Sequence, residues 1–355
     1  MMESSFDLKA SPANTHVIRH AGKILTLEEA HLPWSVDENL DTIDSYDFNG
    51  KLNGPMTAHP RICPETGELL FFGYQMMKKP YLTYHRVSKE GELVQSEEID
   101  IPRPVMMHDW NITRNYVIFM DLPLVFDIDE AVNGSDPFGF KPECGARLGV
   151  MPRNGSNSDI KWIEINPCFV FHPMNAYEEG DSIILHVCRQ NKAMVGGMDE
   201  IYGGEDTTGK LWKWTINLTS GSCLEEQIDD RPCDFARVDD RLVGLKAKNG
   251  YAMALNEKAD SLTFDQYLYK FDLENNKRLD HDLGENVFGG EPIFVPKNKD
   301  LSEDKGWIMA IVYDANIDKS KLIIVDTENF DKKPIGEVIL PQRVPFGAHG
   351  SWLSN

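Results

Sequence analysis

Apolar and aromatic runs of four to eight residues recur along the chain, separated by glycine, asparagine, aspartate and proline. Those punctuating residues supply turn backbones, so the pattern reads as short strands joined by tight turns. Residues 17–27 read as strand, glycine turn, strand. Residues 68–72 follow the turn at Glu65-Thr66-Gly67, and residues 81–87 lead through Lys89-Glu90-Gly91 into another strand. The same phrase returns at residues 211–218, 267–273, 321–326 and 335–340. A further stretch, residues 166–188, reads as an apolar strand ending at His172. Pro173 and a polar turn follow, and a second apolar strand comes back. Aromatic-rich hairpins repeated at intervals of several tens of residues predict radial repetition of small antiparallel sheets, a β-propeller. A large sandwich is the other architecture the pattern permits. No long amphipathic helix and no shift of composition appears, so residues 1–355 are read as one domain.

Composition narrows the function. With 41% hydrophobic and 26% charged residues among 355, the chain can bury a core. A net charge of −21 repels phosphate backbones, which argues against nucleic acid and limits any membrane contact to peripheral association. No apolar run approaches the roughly 20 residues of a membrane span. No secretion signal is visible at the start, and the six cysteines form no CxxC pair. Reduced thiols and a cytoplasmic location are the expectation.

Four histidines stand apart. His59, His108, His172 and His349 each end a strand-like segment or follow a turn. His59 and His172 precede proline, which holds them in extended backbone. They are too far apart in sequence to share a helix. In a propeller, inner strands converge on the axis, and distant residues meet there. Four neutral imidazoles suit Fe(II), Zn(II) or Cu(II). The remaining histidines, at 16, 20, 31, 85, 186 and 281, read as structural, with His186 a hydrogen-bonded core residue.

The segments around these positions resemble the carotenoid cleavage oxygenase family. The matching stretches, in family order, begin with Asn14-Thr15, Thr57-Ala58-His59-Pro60, Met107-His108-Asp109 and residues 171–177. Phe235-Ala236-Arg237-Val238-Asp239, residues 290–295 and residues 303–307 with 312–314 follow, and residues 346–352 complete the series. The resemblance implies a seven-bladed propeller with Fe(II) on its axis, held by His59, His108, His172 and His349. It also implies three carboxylates behind them, Glu29 supporting His108, Asp234 supporting His172 and Glu291 supporting His349. Such carboxylates orient the rings through the second imidazole nitrogen. Thr15 matches a threonine near an open coordination position.

Two departures matter. The family carries glutamate where this chain has Asp234, one methylene shorter. The contact to His172 is therefore expected to be long, water-bridged or absent, and Asp234→Glu to tighten iron retention. The family's N-terminal Arg-Asn-Gly-Pro-Asn-Pro and His-Trp-Phe-Asp-Gly-Asp-Gly-Met stretches do not occur. About the first blade is expected to be missing, leaving an unclosed ring with exposed apolar surface and strand edges.

The reaction the resemblance implies is oxidative cleavage of a carbon–carbon double bond with O2, giving two carbonyl products. The substrate would be a carotenoid or apocarotenoid, or a stilbenoid. Stilbene cleavers of the family tend to carry a lysine where this chain has Glu28, which favours the polyene. Phe171, Met174, Trp110, Phe346 and Trp352 flank the histidines and are candidates to line an apolar tunnel or to pack a core. Two other readings stand beside this one. One is an inert propeller scaffold. The other is a zinc hydrolase, disfavoured because four protein ligands leave tetrahedral zinc no place for water.

Overall fold

Short antiparallel strands account for nearly all the regular structure. The computed structural model describes residues 7–193, 207–256, 264–299, 302–303, 305–345 and 349–353. His16–His20, Lys23–Leu27, Trp34–Val36 and Thr42–Ser45 form the first four-stranded meander. Arg61–Ile62, Leu69–Tyr74, Leu82–Val87 and Leu93–Ile99 form the second. Asn111–Ile112, Tyr116–Asp121, Ala146–Pro152 and Lys161–Ile165 form the third. Phe169–Glu179, Ser182–Gln190, Lys210–Asn217 and Ser222–Arg237 form the fourth. The last of these strands continues into a further meander with Asn249–Leu255, Phe264–Asp272 and Lys277–Asp282. Gly306–Asp314 and Lys319–Asp326 are central to the final sheet. The hairpins read from the sequence are present in each case, and the architecture is all-β and propeller-like.

Alternation along each strand explains why these sheets stack face to face. Successive side chains point to opposite faces. Leu69 and Phe71 pack toward the first sheet with Leu25 and Leu27, whereas Leu70 and Phe72 pack toward the third with Val117 and Phe119. Ile118 and Leu148 in turn meet Leu185 and Val187 of the fourth sheet. A strand buried on both faces is apolar at every position, which is why residues 69–72 read as an unbroken apolar run. Outer strands face water and alternate instead; Leu93–Ile99 carries Val94, Ser96 and Glu98 on its exposed side. Large exposed apolar side chains occur at both ends of the series and between them. Leu40 and Ile43 lie in or beside the first sheet, and Ile311, Ile335, Val338 and Ile339 in or beside the last.

The strand bearing His172 differs from the sequence reading. It does not stop at the histidine but runs from Phe169 through Pro173 to Glu179, turning only at Gly180 and Asp181. The pairing with Ser182–Gln190 shifts register between Val170 and Pro173 and again between Pro173 and Asn175. Proline has no N–H to give to a ladder, and a bulge is where a strand tolerates one. The bulge also re-aims the side chain at 172.

Candidate metal centre

His59 lies just before the inner strand Arg61–Ile62, and His108 just before Asn111–Ile112. His172 sits on its bulge, and His349 in the C-terminal segment. The fold brings all four rings together. One ligand-type atom from each lies within 4.8 Å of those of the others. The Nε2 atoms of His59 and His108 are 3.1 Å apart, and those of His108 and His172 are 3.2 Å apart. His349 packs edge-on against His59 and His172, with ring centroids at 4.5 and 4.8 Å.

Carboxylates hold the far side of the rings. His108 Nδ1 meets Glu29 Oε1, and the other oxygen of Glu29 accepts from the Tyr74 hydroxyl. His349 Nδ1 donates to Glu291 Oε1 at 2.9 Å, and Gly350 N donates to Glu291 Oε2 at 2.8 Å. Gly290 makes this placement possible. A Cβ there would lie 2.2 Å from the Ile311 carbonyl oxygen, so only glycine lets the chain approach that strand and send Glu291 inward.

His172 Nδ1 donates to Asp234 Oδ1 at 2.9 Å, a direct bond in a buried site. This overturns the expected long or absent contact. The reason is backbone. The ladder carrying Asp234 shifts register between Asp234 and Arg237, and Phe235 takes a positive φ of 54°. The irregularity carries the shorter side chain to the ring. The predicted outcome for Asp234→Glu is therefore reversed. An added methylene in a site only 5% exposed displaces His172, and metal retention falls roughly tenfold. Chelator-challenge kinetics on the metal-loaded protein measure it; slower metal loss than wild type would restore the original expectation.

Protonation follows from this wiring. With Nδ1–H directed at a carboxylate, the neutral ring presents an Nε2 lone pair. Such lone pairs on His108 and His172, 3.2 Å apart, require positive charge between them, a proton or a metal cation. Burial lowers the His108 pKa, but the Glu29 carboxylate and its hydrogen bond outweigh that, and the net shift is upward. Burial and the neighbouring imidazoles hold His59 well below the usual range. Burial also lowers His349, against the pull of Glu291. Burial raises Glu291, but His349 and Arg237 bring it below the ordinary carboxylate value. Four convergent imidazole nitrogens, backed by carboxylates, fit one borderline-soft divalent cation, which displaces the proton.

Several neighbours escaped the sequence reading. Asp109 faces His59 Nδ1 at 3.6 Å and pairs with Arg61. His16 bonds through Nδ1 to the Ala58 carbonyl at 2.8 Å, and its ring lies 5.5 Å from that of His349. Its burial and the nearby His349 lower its pKa to about 3, so it is neutral. Phe235 packs 4.7 Å from His172. Asp109 and Phe235 had a sequence signal, their places directly after His108 and Asp234. Thr15 reaches the centre through its backbone, its carbonyl accepting from His349 N at 3.1 Å, while its hydroxyl turns to Asn14.

The tunnel candidates divide. Trp352 lines an apolar cavity of about 390 Å³ that reaches Phe235, Glu291 and His349. Phe171 packs edge-on against His108 at 5.2 Å. Trp110 and Met174 are core residues, Trp110 among Phe72, Tyr84 and Phe119. Phe346 lies outside the described residues. His20, His85 and His281 make ordinary hydrogen bonds to the Gly67 carbonyl, Ser96 and the Phe330 carbonyl. His186 is buried as expected, yet neither ring nitrogen has a hydrogen-bond partner among the described residues. The six cysteines are unpaired thiols.

Comparison with known proteins bears directly on this centre. Residues 4–354 match the family model described as retinal pigment epithelial membrane protein. The chain belongs to the carotenoid cleavage oxygenase family. It is 35% identical to a carotenoid 9,10(9',10')-cleavage dioxygenase of Crocus sativus, over 96% of this chain and 66% of that protein. It is 31% identical to a carotenoid cleavage oxygenase of Mycobacterium tuberculosis, over 96% of this chain and 76% of that protein. Among solved structures it is similar to the lignostilbene dioxygenase of Pseudomonas brassicacearum. That match has a TM-score of 0.87 and 28% identity, over 97% of this chain and 76% of the other. Cobalt-substituted Synechocystis ACO gives a TM-score of 0.85 at 27% identity, over 97% of this chain and 74% of that one. The chain thus spans just under two thirds of the length of the plant relative. Among the described residues, no helix is long and apolar enough to cross a membrane.

Proposed function

We propose that this member of the carotenoid cleavage oxygenase family cleaves a carbon–carbon double bond of a carotenoid or apocarotenoid with O2, giving carbonyl products. The observation that carries this reading is the convergence of four imidazoles beside an apolar cavity. His59, His108, His172 and His349 would hold Fe(II), and Glu29, Asp234 and Glu291 would orient three of the rings. Iron held there supplies the redox chemistry that O2 needs to react with an alkene. The chain's own contribution is placement and exclusion of water. Phe235, Met309, Ile311, Leu322 and Trp352 make a cavity wall that accepts an apolar polyene. Thr15 would help to shape the open side of the centre.

A stilbenoid is the second substrate class, supported by the likeness to a lignostilbene dioxygenase. The polyene is preferred because Glu28 is a poor partner for a phenol. It meets His31 Nδ1 at 2.5 Å and caps Ala30 N at 3.1 Å, so its oxygens are engaged locally.

The test is anaerobic loading with Fe(II), metal analysis, and then aerobic incubation with a full-length carotenoid, an apocarotenal and a hydroxystilbene. One iron per chain and aldehyde products from a polyene are expected. Absence of bound iron sinks the site assignment. Bound iron without aldehyde favours an inert scaffold, and cleavage of the hydroxystilbene alone favours the second class.

A further inference from the structure

Three of the four histidines donate Nδ1 to a carboxylate at hydrogen-bond distance. His59 does not, and the carboxylate packed behind it stands farther off and is paired with Arg61. Asp109 is 3% exposed, and its Oδ2 lies 3.6 Å from His59 Nδ1. Its Oδ1 accepts from Arg61 Nη2 at 2.6 Å and from Trp110 N at 2.6 Å. Arg61 Nη2 also donates to the Trp110 carbonyl at 2.8 Å, and the Trp110 indole donates to the His59 carbonyl at 2.9 Å. The segments bearing His59 and His108 are thus tied by one closed set of bonds, with Asp109 at its middle.

We infer that Asp109 is a fourth carboxylate of the metal centre, a positioning residue that acts on His59 and sets the buried charge to match a divalent ion. The inference rests on reading the four histidines as a metal site.

Charge is the argument. Glu29, Asp109, Asp234 and Glu291 carry four formal negative charges around the rings. Two guanidiniums offset half of that, Arg61 on Asp109 at 2.6 Å and Arg237 on Glu291 at 3.3 Å. Asp240, which shares Arg237, is exposed and left to solvent. The remainder is two negative charges in a poorly solvated interior, equal and opposite to one divalent cation. Without Asp109 the balance is one charge short, and the low local dielectric makes that difference felt at the metal. Position matters as well as charge. At 3.6 Å the Asp109 oxygen is too far for a full hydrogen bond, so Arg61 competes with His59 for this carboxylate. Of the four rings, His59 is the least firmly held from behind.

Asp109→Asn tests this with the same shape and the same Oδ1 acceptor, removing the charge and replacing the Oδ2 acceptor that faces His59 with an amide donor. Arg61→Gln is its counterpart, releasing the carboxylate toward His59 and adding one net negative charge. The readouts are Co(II) affinity by titration, the Co(II) visible absorption spectrum, and the rise in melting temperature on adding Co(II), all on the full chain. Asp109→Asn is expected to bind Co(II) about tenfold more weakly, with an altered spectrum. Arg61→Gln is expected to lower the melting temperature of the metal-free protein yet to gain more from Co(II) than wild type does. Opposite signs in the two variants distinguish a charge role from loss of a structural bond, which shifts both the same way. Affinity within twofold of wild type and an unchanged spectrum for Asp109→Asn overturn the inference. So do shifts of like sign, and if Asp109→Asn fails to fold, Arg61→Gln alone decides by its sign. Wild-type protein that binds no Co(II) overturns the metal-site reading itself, and the inference with it.

Discussion

The His172→Ala protein is expected to keep its strands and lose its metal. His172 supplies one of four nitrogens, and its Nε2 faces that of His108 at 3.2 Å. Losing a supporting carboxylate alone costs such centres about 10- to 100-fold in affinity, and losing the nitrogen itself costs at least the upper figure. The fold suffers too. Asp234 is 5% exposed, and without His172 its Oδ1 keeps only the N–H of Phe235, at 2.8 Å. A buried carboxylate stripped of its partner typically costs about 3–5 kcal/mol. Metal content after dialysis should therefore fall from near one per chain to background, with aldehyde production lost. Far-ultraviolet circular dichroism should retain the strand signature at low temperature. A His172→Ala protein that keeps stoichiometric metal would remove His172 from the centre.

The second large effect is on stability. Trp110 is fully buried, stacked on Phe119 at 5.8 Å and edge-on to Phe72 and Tyr84 at 5.5 and 5.9 Å. Trp110→Ala opens a cavity between the second and third sheets and is expected to cost about 3–5 kcal/mol in urea unfolding. Trp110→Phe preserves most of the ring packing but strips the His59 carbonyl of its donor. The expected cost is about 1–3 kcal/mol, with metal retention weakened alongside because His59 is freed. If Trp110→Phe unfolds at the wild-type urea midpoint and holds metal equally well, the indole bond contributes nothing. The comparison matters because sequence left Trp110 between tunnel and core, and the packing assigns it to the core.

Much of the fold was legible because each sheet is a local event. Residues 17–27 and 321–340 announce hairpins through alternation and turn residues, and such pairings need no distant information. The four histidines were legible too: His59, His108 and His172 sit at or just outside an inner strand, and His349, in the C-terminal segment, is marked by the family's motif. Glu29 and Glu291 could be assigned through the family's motifs. What escaped notice depends on contacts between segments far apart in sequence. His16 joins the centre only because the first sheet packs against the segment before His59. Asp109 matters only because Arg61, 48 residues earlier, stands opposite it.

Asp234 shows most clearly where sequence stops. Counting methylenes predicted a gap to His172, because it assumed the backbone of the longer residue. Here the ladder shifts register after Asp234, Phe235 takes a positive φ, and the bond to His172 is direct at 2.9 Å. The order of hydrophobic and polar residues by itself determined the strands and their turns, and resemblance to the family's motifs singled out the four imidazoles. Tertiary structure alone decided how those imidazoles are held and which carboxylates and guanidiniums face them. Distances of a few tenths of an ångström are set by bulges and by packing between sheets, and neither is encoded in the spacing of residues along the chain.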